Sequence, residues 1–242
     1  MSSSVATRGV SERLRKFVGE APYERQPIFD FVAGAAAATT PGARVLDVGA
    51  GSAPYRELFQ HAEYTTADWA ESVHVDGESP DITAAADALP VDDRSFEVVL
   101  NTQVLEHVPE PASVLSELYR VLVEGGRLYL TAPLVWELHE LPHDYYRYTA
   151  SGLGHLLGQA GFTEIEIRPR NDCFSTIAQL LLNARWAMGR QAGGLDERRE
   201  EASALLEQLA DQVARLGPLD ARWELPLGFT ASALRPGRPQ SD

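Results

Sequence analysis

The amino-acid sequence predicts an α/β fold with a largely parallel sheet, on three observations. Short β-branched runs alternate with stretches of helical apolar spacing, the arrangement of successive strand–helix–strand units. The first run, 43-ARVLDV-48, leads straight into the glycine turn 49-GAG-51. The second, 64–67, stops on an acid, Asp68.

Each element follows from its local pattern. Residues 43–48 read as a buried strand entered from the turn Pro41-Gly42, and 55–59 as a helix start behind the glycines. Residues 96–101 (FEVVLN) form a strand after the polar turn Asp92-Asp93-Arg94-Ser95, and 127–131 (RLYLT) another after Gly125-Gly126. Between them, 111–122 carries Val114, Leu115, Leu118, Tyr119 and Leu122 at helical spacing. A helix over 151–160, capped by Ser151, precedes a strand over 163–168. Helices fill 174–216 with a break near Gly193-Gly194, the apolar stretch 225–234 closes the sheet, and helices are also expected over 11–35.

Composition narrows the function classes. The 242 residues carry a net charge of −14, and an acidic surface argues against a nucleic-acid partner. A single cysteine, Cys173, excludes an intrachain disulfide, is expected as a small buried apolar residue, and fits a cytoplasmic location. No membrane span is expected: the most apolar stretch, 174–188, is interrupted by Gln179, Asn183 and Arg185, and suits a core face or a homodimer interface.

The glycine turn carries the first functional signal. Gly49 and Gly51 let the backbone turn sharply and approach a ligand at the carboxyl edge of the sheet, where open α/β sheets bind ligands. Asp68, at the tip of the second strand, suits a pair of ribose hydroxyls. A dinucleotide fingerprint wants a third glycine where Pro54 stands, and a proline there removes a backbone donor that a pyrophosphate uses. Asp87, in 86-ADALP-90, is a second acid, placed either to meet an adenine amine or to cap a helix. Asp47 orients the turn or receives a cation through water. These features point to a nucleoside ligand without a bridging pyrophosphate, S-adenosylmethionine rather than NAD.

The pieces VLDVGAGSAPY (45–55), TTAD (65–68), DALP (87–90), FEVVLNTQVLEHVPEP (96–111), LYRVLVEGGRLYLTAP (118–133) and GLGHLLGQAGF (152–162) together resemble the class I S-adenosylmethionine-dependent methyltransferases of the small-molecule kind. The resemblance covers about residues 40–170 in the family's order, in a GAGxxPY variant: Ala53 stands at the family's third small position, followed by Pro54-Tyr55. It implies a Rossmann-like three-layer sandwich with seven strands in the order 3-2-1-4-5-7-6, strand seven antiparallel. Strand six would be 163–168 and strand seven 226–234. The domain plan it implies is a helical cap over 1–35, a donor-binding core over 36–170, a helical insertion over 171–216, a closing strand within 217–235 and a tail over 236–242. Carried over by position, Gly49 and Gly51 face the methionine part, Asp68 the ribose, and Asp87, Ala88 and Leu89 the adenine. Trp69 packs on the adenine, Gln103 lies under the ligand with His107 nearby, and Arg25 of the cap pairs with the donor carboxylate.

The segment 139-HELPHDYYRYT-149 follows the fifth strand and so lies on the acceptor side. Its His139-Glu140-x-x-His143 spacing is that of a zinc hydrolase helix, but Pro142 cannot continue that helix, and no metal is expected. His143 is the candidate base for an acceptor hydroxyl, with His139 second; the alternative is that His143 and Tyr145, Tyr146 and Tyr148 only wall the pocket. His61, His74 and His155 have no suggestive neighbours in sequence and are expected at surface or packing positions. The function expected is methyl transfer to a small-molecule acceptor, O-methylation first. The alternatives are a non-methylating, cyclase-like enzyme on the same fold and a non-catalytic donor-binding scaffold.

Overall fold

The computed structural model describes residues 9–74, 79–189, 197–217 and 224–237. Seven strands form one sheet in the order β3-β2-β1-β4-β5-β7-β6, the order the resemblance implies. They are β1 (Arg44–Val48), β2 (Glu63–Asp68), β3 (Ile82–Thr83), β4 (Phe96–Thr102), β5 (Leu122–Pro133), β6 (Thr163–Arg170) and β7 (Gly228–Leu234). β1 to β5 pair in parallel, and β7 runs antiparallel to both β5 and β6.

Both faces of the sheet are covered, which is why the central strands are apolar on both sides. In β1, Val45 packs in the cluster built by α1 (Glu12–Glu20) and α2 (Pro22–Ala38), whereas Leu46 and Val48 join α3 (Pro111–Val121) and α4 (Ala150–Gln159) on the opposite side. β4 alternates likewise, with Val98 and Leu100 toward α2 and Val99 toward α3. Each fully buried leucine in these layers contributes roughly 1.5–3 kcal/mol. Ser11 caps α1 by accepting from Leu14 N, and Pro22 opens α2 at a position where its missing N–H costs nothing.

Several local expectations are corrected. β5 begins at Leu122 and passes through Gly125-Gly126, because the strand pairs with β4 at Leu122 before its register shifts. Thr149, not Ser151, caps α4, its side chain accepting from Gly152 N. The helix start expected over 55–59 is one 3-10 turn, Arg56–Phe59. Cys173 is half-buried. α5 (Cys173–Gly189) and α6 (Glu197–Ala214) lie between β6 and β7 in sequence and pack on each other. The break near Gly193-Gly194 and most of the 236–242 tail fall outside the described residues. Among the described residues, no helix is long and apolar enough to cross a membrane.

Candidate functional site

The carboxyl edge of β1, β2, β4 and β5 gathers the residues singled out above. Gly49 and Gly51 both take positive φ, 76° and 54°, which the turn requires. A Cβ on Gly49 would stand 2.2 Å from Val104 Cγ2, and one on Gly51 would stand 3.0 Å from His74 Cβ. The turn is therefore a tight backbone cradle between two neighbouring loops.

Asp68 closes that cradle. Its Oδ2 accepts from Gly51 N at 2.6 Å and its Oδ1 from Trp69 N at 2.8 Å. Both oxygens are held by backbone donors, and each keeps a lone pair for a further hydroxyl. Asp47, 1% exposed, turns instead toward the cap side and accepts from the Tyr64 hydroxyl. Burial pushes its carboxyl up to about 6, the Tyr64 bond working against that rise.

The adenine-side candidates are split. Asp87 and Ala88 are exposed in the turn after the two-residue β3, while Leu89 is buried and its N–H donates to Glu117 Oε1. Gln103 sits just past β4 with positive φ, and its side-chain amide donates to Thr131 Oγ1. Arg25 is engaged within the cap: its guanidinium bonds the Phe17 carbonyl and Glu20 and lies over the Phe17 ring. A cleft of about 740 Å³ runs along the outer side of the glycine turn. Its lining includes Arg13, Gly51, Pro54, Arg56 and Thr66, from α1, the turn and β2 rather than from the β4–β5 edge.

The loop after β5 is a fixed structure. Tyr145 N and Tyr146 N donate to Glu106 O, Tyr148 Oη to Leu105 O and Tyr146 Oη to Pro109 O, tying the loop to the segment after β4. Arg147 clasps Asp144 at 2.6 and 3.0 Å and holds that carboxyl down at about 2. Asp144 is thus spent on Arg147, on the His139 N–H and on the flank of the His139 ring; His143 Nδ1 meets Tyr145 Oη at 3.3 Å instead. The His143 and Trp69 rings meet in a T-shaped contact at 5.1 Å, so Trp69 links Asp68, at the tip of β2, to the loop.

Glu106 and His74 gain significance only from the fold, and His107, expected near the ligand, gains a ring partner there. Glu106 is fully buried, and among the described residues neither carboxyl oxygen has a hydrogen-bond partner. Burial pushes it up to about 8, with Arg170 and Arg147 pulling the other way. His74, expected as a surface or packing residue, contacts Glu140 Oε1 at 2.6 Å. His107 stacks edge-on against His139 at 4.7 Å. The only sequence signal was the position of Leu105-Glu106-His107 directly after a central strand; His74 carried none.

Comparison with known proteins bears on the family and the fold. Residues 46–130 match the model of the methyltransferase domain family. The chain is 29% identical over 172 residues to the ubiquinone/menaquinone biosynthesis C-methyltransferase of Desulfotalea psychrophila, covering 65% of this chain and 63% of that protein. It spans less than two thirds of the length of that relative, and likewise 47% and 59% of two further curated relatives. Among solved structures, it is similar in fold to the [4+2]-cyclase SpnF at TM-score 0.56 and 20% identity, covering 88% of this chain and 83% of that one. A SAM-dependent methyltransferase from Archaeoglobus fulgidus gives TM-score 0.53 and 17% identity, over 90% and 99%. The cradle at Gly49 and Gly51 and the doubly held carboxylate of Asp68 fit a nucleoside-bearing sulfonium donor. Residues 46–130 are thus similar to the methyltransferase domain family, and the sheet around them has the fold of the SAM-dependent methyltransferase from Archaeoglobus fulgidus.

Proposed function

We propose that the protein transfers a methyl group from S-adenosylmethionine to a small-molecule acceptor, an acceptor oxygen first. The observation that carries this reading is Asp68: an acid at the tip of β2, both oxygens bonded to backbone N–H groups, beside a glycine turn with no room for a Cβ at Gly49. The donor, when bound, supplies an electrophilic methyl on a positively charged sulfur.

The chain's own residues supply holding and proton handling. In this reading Gly49 and Gly51 let the backbone approach the methionine part, and Asp68 holds the ribose. Asp87, Ala88 and Leu89 border the adenine, with Trp69 beside it; Gln103 floors the site, and Asp47 and Arg25 steady the turn and the cap. The loop after β5 screens the acceptor from water, which strengthens attraction between an oxygen nucleophile and a charged donor. His143, half-exposed and in edge contact with Trp69, takes the hydroxyl proton. His139, the second base candidate, is turned toward His107. The helical cap over 1–35 and the insertion over 171–216 then shape the acceptor side, the core being 36–170 with its last strand within 217–235.

Calorimetry with S-adenosylmethionine and S-adenosylhomocysteine tests the donor. Binding of both is expected; binding of neither, or of NADH instead, overturns the reading. Transfer of a labelled methyl into a panel of small hydroxylated acceptors then separates a methyltransferase from a cyclase-like enzyme or a scaffold, both of which leave the label on the donor.

A further inference from the structure

We infer that His107, His139 and Glu140 form a binding site for one divalent first-row transition-metal ion of the zinc type. This goes beyond the donor reading and rests on it only for the ion's role, not for its binding. One candidate ligand atom from each residue lies within 4.8 Å of the other two. That spacing suits three donors around one ion, and two imidazoles with a carboxylate are a catalytic zinc ligand set that leaves a position open.

The hydrogen bonds around the rings prepare them for this use. His107 Nδ1 lies 2.7 Å from the His143 carbonyl, and His139 Nδ1 lies 3.1 Å from the Glu137 carbonyl. A carbonyl oxygen only accepts, so in each neutral ring Nδ1 bears the hydrogen and Nε2 keeps its lone pair. Metal-ligating histidines show this arrangement, with the second nitrogen donating to a carbonyl or carboxylate. The Asp144 carboxylate flanks His139 Nδ1 at 3.5 Å, and Arg147 fixes that carboxylate in turn. Glu140 Oε1 is positioned by His74 Nε2 at 2.6 Å and lies 3.6 Å from His107 Nε2. Glu140 also takes a positive φ of 52°, an uncommon backbone for glutamate, and this turns it away from a helical path.

The set differs from the one the sequence suggests. His143 of the His139-Glu140-x-x-His143 pattern contributes its carbonyl to His107, while its ring goes to Trp69 and Tyr145. The third ligand comes instead from His107, beyond the end of β4 and out of reach of any local motif. His74 stands beside Gly51, so the ion would lie next to the glycine turn, on the acceptor side. An ion there lowers the pKa of a coordinated acceptor hydroxyl, leaving the proton for His143 or solvent.

The test uses the full chain stripped with a chelator and titrated with Co²⁺, read by its visible d–d absorption, with Zn²⁺ as competitor and Mg²⁺ as control. The expected result is one Co²⁺ per chain, displaced by Zn²⁺ and not by Mg²⁺. Affinity should fall at least ~10-fold in each of His107→Ala, His139→Ala and Glu140→Gln, and stay unchanged in His143→Ala. His74→Gln, which removes a group that orients a ligand, should weaken binding by about 10-fold or more while keeping the absorption band. Thermal melting confirms that each variant folds. No Co²⁺ band, or a band indifferent to the three ligand substitutions, overturns the inference, as does loss of binding in His143→Ala with His107→Ala unaffected. S-adenosylhomocysteine titrated into the same metal-free protein keeps the two questions apart. Its binding without a Co²⁺ site defeats only the ion, and a Co²⁺ site without its binding defeats only the donor reading.

Discussion

Gly51 N donates to Asp68 Oδ2 at 2.6 Å, joining the glycine turn after β1 to the tip of β2. The bond makes one carboxylate both a strut for the turn and the ribose acceptor of the proposed site. Asp68→Asn offers one oxygen to two backbone donors and sets an amide N–H against the other. Hydrogen bonds to a charged group contribute about 1.5–3 kcal/mol, so S-adenosylhomocysteine affinity should fall roughly 10–100-fold by calorimetry.

Gly49→Ala tests the cradle itself. The new Cβ meets Val104 Cγ2 at 2.2 Å, at a residue with φ of 76°. Overpacking costs about 1–3 kcal/mol, before the backbone strain is added. The melting temperature should fall, and the companion Val104→Ala should restore only the part due to the clash.

Asp47 predicts a pH dependence of stability. Burial lifts its folded value from 3.8 to about 6, so the native state holds a proton that the unfolded chain releases earlier. Its contribution is fully present below pH 3.8 and is lost as pH rises through about 6. The loss is on the order of 3 kcal/mol for a shift of that size. Denaturant unfolding of Asp47→Asn, compared with the parent chain from pH 4 to 7, should show this part of the slope removed.

His143→Ala should leave donor affinity intact and lower turnover by roughly 10²–10⁴ if the imidazole takes the acceptor proton. The readout is kcat at saturating acceptor, with donor binding by calorimetry. Unchanged turnover assigns the ring to the pocket wall.

Arg170 tests how the cap is held. Its side chain is 1% exposed, lies 3.6 Å from Glu24 Oε1 and donates to the Glu24 carbonyl. Arg170→Leu leaves the Glu24 carboxylate, 12% exposed, with Arg25 at 4.0 Å, and breaking a buried pair costs about 3–5 kcal/mol, an upper bound here. Thermal melting should report the loss, and the double variant with Glu24→Gln should recover part of it.

The strands and the glycine turn were readable from residue order because their causes are local. An apolar run of strand length, a glycine that alone tolerates the turn, and an acid at a strand end announce themselves within a few residues. Gly49, Gly51 and Asp68 fall together for that reason, since β1 and β2 are parallel neighbours in register. Residue order also ruled out a helical His139–His143 pair, because Pro142 acts on its own backbone, and the segment is indeed non-helical. The short β3 and the path of the loop after β5 were not readable, since each is settled by contacts with distant chain, whereas the cap of α4 is a local choice between Thr149 and Ser151. Tyr145 and Tyr146 bond Glu106, His107 bonds the His143 carbonyl, and His74 reaches Glu140 across 66 residues. The grouping of His107, His139 and Glu140, and the burial of Glu106, arise only when the sheet order sets the ends of β4 and β5 side by side. Local chemistry selects the strand, the turn and the acid; only tertiary packing selects which side chains share a site.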